Sequence, residues 1–200
     1  MTVGENTIQI PKYAFSEPRR NLPGHTGANT AEDYFTLAFA QAYHDRQAQV
    51  HRSSKKTKFC FAREIPVNGY GIADLVWVAW ADTGAHSFPD ASSFITQAKP
   101  TMRAFELKLY NWRKAMTQAA RYRYFAHQAI VVLPFHICKN ALPYIETFKR
   151  IKVGLWGFQP EDTSITPFFT PRPQKPLSTR HYHQTIHKIA SMSMPSLPIA

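Results

Sequence analysis

Only 13 acidic residues occur in this chain of 200, so the place of each carboxylate is informative. Three of them interrupt stretches that read as apolar strands: Glu64, Asp74 within IADLVWVAW, and Glu106 within MRAFELKL. Lys108 follows Glu106 by two positions. Side chains on a strand repeat every two residues, so Glu106 and Lys108 project from one face, roughly 7 Å apart. A carboxylate and an ammonium on a sheet face beneath a helix cost desolvation energy unless they are paired or serve a ligand. A hard cation is such a ligand. Mg²⁺ takes one or two carboxylates and keeps waters and substrate phosphate oxygens. Asp74 and Glu106 supply that pair, and the Leu107 carbonyl supplies a third oxygen. Lys108 is then placed to orient or help deprotonate the attacking water, or to steady the charge that develops on phosphorus. In-line hydrolysis of a phosphodiester is the reaction this set supports. The plainer readings are a Glu106–Lys108 structural ion pair and a strand-end turn role for Asp74. Glu64 reads equally as a fourth acidic ligand or as a solvent-facing residue.

The elements that must position these residues follow from periodicity. Residues 1–29, punctuated by prolines and glycines, read as an irregular arm. Thr30 has the chemistry of an N-cap, with Asp33 completing a capping-box-like pattern for a helix from Ala31 to about Gln47. A basic loop, His51 to Lys58, comes next. Phe59–Val67 and Ile72–Trp80 form an antiparallel hairpin about Asn68-Gly69. Residues 82–100 read as a loop-like insertion. A third strand over 102–109 leads into a helix over 111–127, a buried strand Ala129–Leu133, a helix over 142–150 and a last strand Val153–Phe158. Seven of the 15 prolines lie from Pro160 onward, so residues 161–200 read as a Pro-rich basic segment that wraps the core or stays loose, with a helical turn or two around 179–190. The order predicts a single α/β domain over 30–160, with a mixed central sheet flanked by helices.

The residues carry a resemblance. Gly71-Ile72-Ala73-Asp74 on one strand, Glu106-Leu107-Lys108 on the next, and then a helix bearing Gln118-Ala-Ala-Arg-Tyr122 together resemble the PD-(D/E)xK nuclease superfamily. The Gln-x-x-x-Tyr helix is similar to that of RecB-like exonuclease members. The resemblance covers roughly residues 30–158 and includes Glu32 in the preceding helix. It departs from the pattern at Ala73, where the family has proline. It implies a restriction-endonuclease-like fold with Asp74 and Glu106 as metal ligands and Lys108 as the catalytic lysine. Glu32 would be an auxiliary ligand, with a first-turn carboxylate favourable to the helix dipole as its bland alternative. Gln118 and Tyr122, one turn apart on a helix face, would line the site and help place the substrate backbone. The cofactor implied is Mg²⁺, with Mn²⁺ as a substitute.

Charge agrees with a polyanionic partner: Lys and Arg number 24, for a net charge of +11, and DNA is the expectation. Lys114 and Arg121 flank the predicted site, where they would neutralise phosphates. No stretch is apolar for the roughly 20 residues a membrane helix needs, and the first residues have no secretion-signal pattern. Cys60 and Cys138 read as buried free thiols of a reducing cytoplasm. His183 and His187 have the spacing of a helical metal pair but no acid partner. A chain of this size would select its target with a dimer mate, a protein partner or its own terminal segments. The rival readings are a catalytically inactive nucleic-acid-binding or scaffold protein on the same fold, and a protein-interaction adaptor.

Overall fold

The computed structural model describes residues 13–15, 31–52, 57–82 and 90–191. Its centre is a seven-stranded mixed open sheet whose strands lie side by side in chain order. They are β1 (Tyr13–Phe15), β2 (Thr57–Val67), β3 (Gly71–Ala81), β4 (Thr101–Leu107), β5 (Gln128–Pro134), β6 (Val153–Gln159) and β7 (Ser164–Phe169). β1 runs parallel to β2; β3 is antiparallel to both of its neighbours, β2 and β4; β4, β5 and β6 are parallel; β7 returns antiparallel to β6. The helices are α1 (Ala31–Arg52), α2 (Ala91–Ala98), α3 (Trp112–Tyr122), α4 (Phe135–Ala141), α5 (Ile145–Ile151) and α6 (Thr179–Ser191). The predicted α/β class, the hairpin and the central strands are as expected.

Each face of the sheet buries a separate cluster. On one face Phe35, Phe39 and Tyr43, four residues apart along α1, cover Phe61, Trp77, Phe105, Trp156 and Phe158, in edge-to-face contacts such as Phe39 on Phe105 at 5.2 Å. On the other face Trp112, Ala115, Ala119 and Tyr122 of α3 join Phe94 of α2, Phe148 of α5, and Tyr182, Ile186 and Ile189 of α6 over the smaller strand residues.

Several expectations are corrected. The arm holds β1, whose Tyr-Ala-Phe sequence favours a strand. α1 runs five residues past Gln47, so the ends of the predicted basic loop belong to α1 and β2, while residues 53–56 and the Thr30 cap lie outside the described residues. The 82–100 insertion contains α2, started by Asp90 accepting the Ser93 N–H at 2.7 Å. Helix α3 ends at Tyr122 rather than 127 and begins at an Asn111 cap. The single helix expected over 142–150 is α4, a 3-10 turn at Leu142–Tyr144, and α5. Residues 161–191 neither stay loose nor merely wrap: β7 extends the sheet and α6 enters the core, with Tyr182 OH donating to Pro100 O at 2.7 Å. Pro167 is compatible with β7 because that strand is an edge, where a missing N–H removes no ladder bond. Residues 192–200 lie outside the described residues.

Candidate active site

The site forms where the β3–β4 ladder ends. Pairing runs from Ala79↔Thr101 to Leu75↔Phe105. Asp74 is the next residue on β3 and Glu106 the next on β4, which sets the two acids across from each other. The sheet's alternation also slips here. Val76, Val78 and Trp80 face the α3 side, and so does Ala73; Cys60 and Ala62 face that side, and so do Ile65 and Val67. Each strand has lost one step, at Glu64 and at Asp74. Glu64 sits at φ 51° in the left-handed region, and the β2–β3 register skips from Arg63↔Leu75 to Ile65↔Ala73. The slip turns the Asp74 carboxylate toward the neighbouring backbone, where Oδ2 accepts the Leu107 N–H at 2.8 Å.

Both acids are buried, Asp74 at 9% and Glu106 at 1% exposure. Like charges directly opposite on a sheet repel, and here the opposing charge comes from Lys108. Its Nζ is 3.6 Å from Glu106 Oε1 and 3.0 Å from Glu32 Oε2. Glu32 lies in the first turn of α1, on the far face of the sheet, so this bridge closes around the sheet's end. Burial alone would lower the Lys108 pKa, but Asp74, Glu32 and Glu106 together outweigh it and hold the ammonium above its usual range. The backbone of Lys108 is itself fixed, its N–H donating to Val132 O at 3.2 Å.

α3 braces the acids from above. The Tyr122 hydroxyl is in hydrogen-bond contact with Glu106 Oε2 and with Ile72 O. A phenol has one proton, so it donates to one acceptor at a time. Gln118 stands one turn earlier on the same face, and its buried Oε1 has no hydrogen-bond partner. A buried amide oxygen left in this state costs about 1–3 kcal/mol, which a structural role does not require. Lys114 and Arg121 are exposed on the helix flank beside Gln118, as the helical repeat places them, and form no ion pair with the acids among the described residues. The structure therefore brings Asp74, Glu106, Lys108, Glu32 and Tyr122 into one connected network.

Among the described residues no three His, Cys, Asp or Glu side chains form a group that would cage a metal. The donors present suit a hard cation that keeps its waters: two buried carboxylates on adjacent strands, the Leu107 carbonyl, and a partnerless amide oxygen nearby. Mg²⁺ or Mn²⁺ fits such a set, and zinc, which prefers nitrogen and sulfur, does not. Of the His183–His187 pair, His187 Nε2 lies 3.4 Å from Ser92 Oγ. Cys60 and Cys138 are buried free thiols with pKa values pushed up to about 12, and so are unreactive.

Sequence reasoning missed Tyr70, which stacks on Tyr124 with ring centroids 4.4 Å apart. Its place between Gly69 and Gly71 in the hairpin turn disguised it as a connector.

No family model, curated protein or solved structure matches this chain. No helix among the described residues is long and apolar enough to cross a membrane.

Proposed function

We propose that the protein is a metal-dependent nuclease of the PD-(D/E)xK kind, on a restriction-endonuclease-like fold, hydrolysing phosphodiester bonds in DNA. The observation that carries this reading is the opposition of Asp74 and Glu106 across the open end of β3 and β4, with Lys108 and Glu32 closing the cluster. Buried like charges weaken a fold, and a cation with a phosphate substrate gives them a purpose.

Asp74, Glu106 and the Leu107 carbonyl would hold Mg²⁺, with Glu32 at the margin. Bound there, Mg²⁺ supplies Lewis-acid polarisation of the phosphate and a lowered water pKa. The Leu107 N–H fixes the Asp74 carboxylate, and the Tyr122 hydroxyl fixes that of Glu106. Lys108 Nζ orients the attacking water or donates to the phosphate as its charge grows. Gln118 Oε1 accepts a hydrogen bond at the edge of the site, while Lys114 and Arg121 neutralise neighbouring phosphates. A cytoplasmic setting, and target selection by a dimer mate or protein partner, complete the proposal.

The test compares wild type and Asp74→Ala on linear duplex, single-stranded and circular DNA with Mg²⁺, Mn²⁺ or EDTA. Metal-dependent cutting by wild type alone is the expected result. No cutting, with equal salt-sensitive binding by both proteins, would leave an inactive DNA-binding scaffold as the better account. Neither cutting nor binding would point to the adaptor.

A further inference from the structure

The tyrosines whose side chains are described divide into two groups by what their hydroxyls do. Tyr43, Tyr122, Tyr144 and Tyr182 each make a hydroxyl hydrogen bond inside the protein. Tyr34, Tyr70, Tyr110 and Tyr124 make none among the described residues. Each of these four stands two positions from a residue of the site: Tyr34 from Glu32, Tyr70 from Ile72, Tyr110 from Lys108 and Tyr124 from Tyr122. Two of them are tied to the acids through Tyr122, whose hydroxyl meets both Ile72 O, two residues from Tyr70, and Glu106 Oε2. Tyr110 follows Lys108 by two residues where β4 ends, and Tyr70 and Tyr124 stand beside the Tyr122 brace.

One part of this set is a constructed platform. Tyr70 and Tyr124 stack with 26° between their planes, and the His181 ring meets Tyr70 edge-on at 4.8 Å. The Tyr124 backbone is pinned on both sides, its N–H to Arg121 O at 3.1 Å and its carbonyl to the Ser178 N–H at 2.9 Å. Even so, Tyr124 remains 38% exposed, and Tyr110, beyond Lys108, is 74% exposed. Rigid open rings flanking a phosphate-directed site, with Arg121 and Lys114 alongside, match the way single strands are held: bases stack on aromatics while cations follow the backbone. In a duplex the faces of the bases are already stacked on one another and do not reach such rings.

We propose that the site takes nucleic acid with unpaired bases beside the scissile phosphate, a single strand or a frayed end. One base stacks on the Tyr70–Tyr124 pair and another on Tyr110. The proposal rests on the nuclease reading and names the substrate class of that site. Binding is measured by fluorescence anisotropy in EDTA, with a short labelled oligothymidylate, an abasic strand of the same length, and a blunt duplex. The thymidylate is expected to bind more tightly than either competitor. Tyr124→Ala and Tyr110→Ala should each weaken it by roughly five- to hundred-fold with little effect on the abasic strand, and Tyr124→Trp should restore it. Equal binding of thymidylate and abasic strand, or alanine variants indistinguishable from wild type, overturns the proposal. Cleavage in Mg²⁺ separates the two claims. If wild type cuts blunt duplex as fast as single strands and Tyr124→Ala changes nothing, the stacking platform fails while the nuclease stands. If wild type cuts nothing in any metal while binding still depends on Tyr124, the nuclease reading fails instead.

Discussion

Replacing Asp74 by asparagine separates a site maintained for catalysis from one maintained for stability. The acids Asp74 and Glu106 stand across from each other, buried at 9% and 1% exposure. At the roughly 5 Å typical of opposed strand positions, and an effective dielectric of about 20, their repulsion is about 3 kcal/mol. The Lys108 ammonium, which Asp74 shares with Glu106 and Glu32, returns part of this, so removing the Asp74 charge stabilises the metal-free protein by about 1 kcal/mol. Asparagine keeps an oxygen for the Leu107 N–H. Alanine does not, and orphaning that donor costs about 1–3 kcal/mol relative to asparagine. In EDTA, Asp74→Asn should therefore melt about 2–4 °C above wild type, with Asp74→Ala clearly below Asp74→Asn, both followed by circular dichroism. Mg²⁺ should raise the wild-type melting point and leave that of Asp74→Asn where it was. An Asp74→Asn protein that melts below wild type in EDTA would refute the reasoning, because the carboxylate would then be an ordinary structural acceptor.

Two further outcomes follow from the same structure. Tyr122→Phe keeps the ring in the core but removes the hydroxyl from Glu106 and Ile72 O; it should lower stability by about 1–2 kcal/mol in urea titration and slow single-turnover cleavage roughly ten-fold or more, and an unchanged rate would detach Tyr122 from the site. Burial holds the His127 pKa below its ordinary 6.5, and its Nδ1 accepts the Met102 N–H at 3.0 Å. The unfolded chain thus takes the proton first. The stability tied to a neutral His127 is complete above about pH 6.5 and is lost as the pH falls below it. His127→Gln should flatten urea midpoints between about pH 6.5 and 5, and an equally steep profile in that variant would assign the loss to other groups.

The acids were legible in the sequence because a carboxylate within an apolar strand is expensive, and few residue types declare themselves so clearly. The central strands were legible for a related reason: runs such as LVWVAW and AIVVL leave no polar face to place in solvent. The features missed were those in which a tertiary contact overrides local composition. Ala91, Phe94, Ile95 and Ala98 have the spacing of a helix face, yet serines and Pro100 disguise it; Phe94 settles the matter by packing edge-on against Trp80 at 5.1 Å. Pro167 argues against a strand until β7 is known to be an edge. The slip in alternation at Glu64 and Asp74 cannot be read from a period of two, because it is a break in that period. The spacing of Gln118 from Tyr122 sets both on one helix face, but the amide oxygen's lack of a partner belongs to three-dimensional packing.

The attachment of α6 bears on how the chain is made. Lys188 Nζ meets Pro66 O across 122 residues, and Ile186 and Ile189 fill the layer over α2 and β2. The hairpin that carries Asp74 leaves the ribosome long before the helix that covers it. Contacts this distant in sequence close slowly, because the loop entropy is spent before they form. Synthesis that stops short of Thr179 leaves the β2–α2 surface bare and the core unsealed. Such a fragment exposes apolar surface and is prone to aggregation and proteolysis. The last helix thus acts as a completion check: the acidic cluster is mounted on a finished fold only in chains translated through to α6.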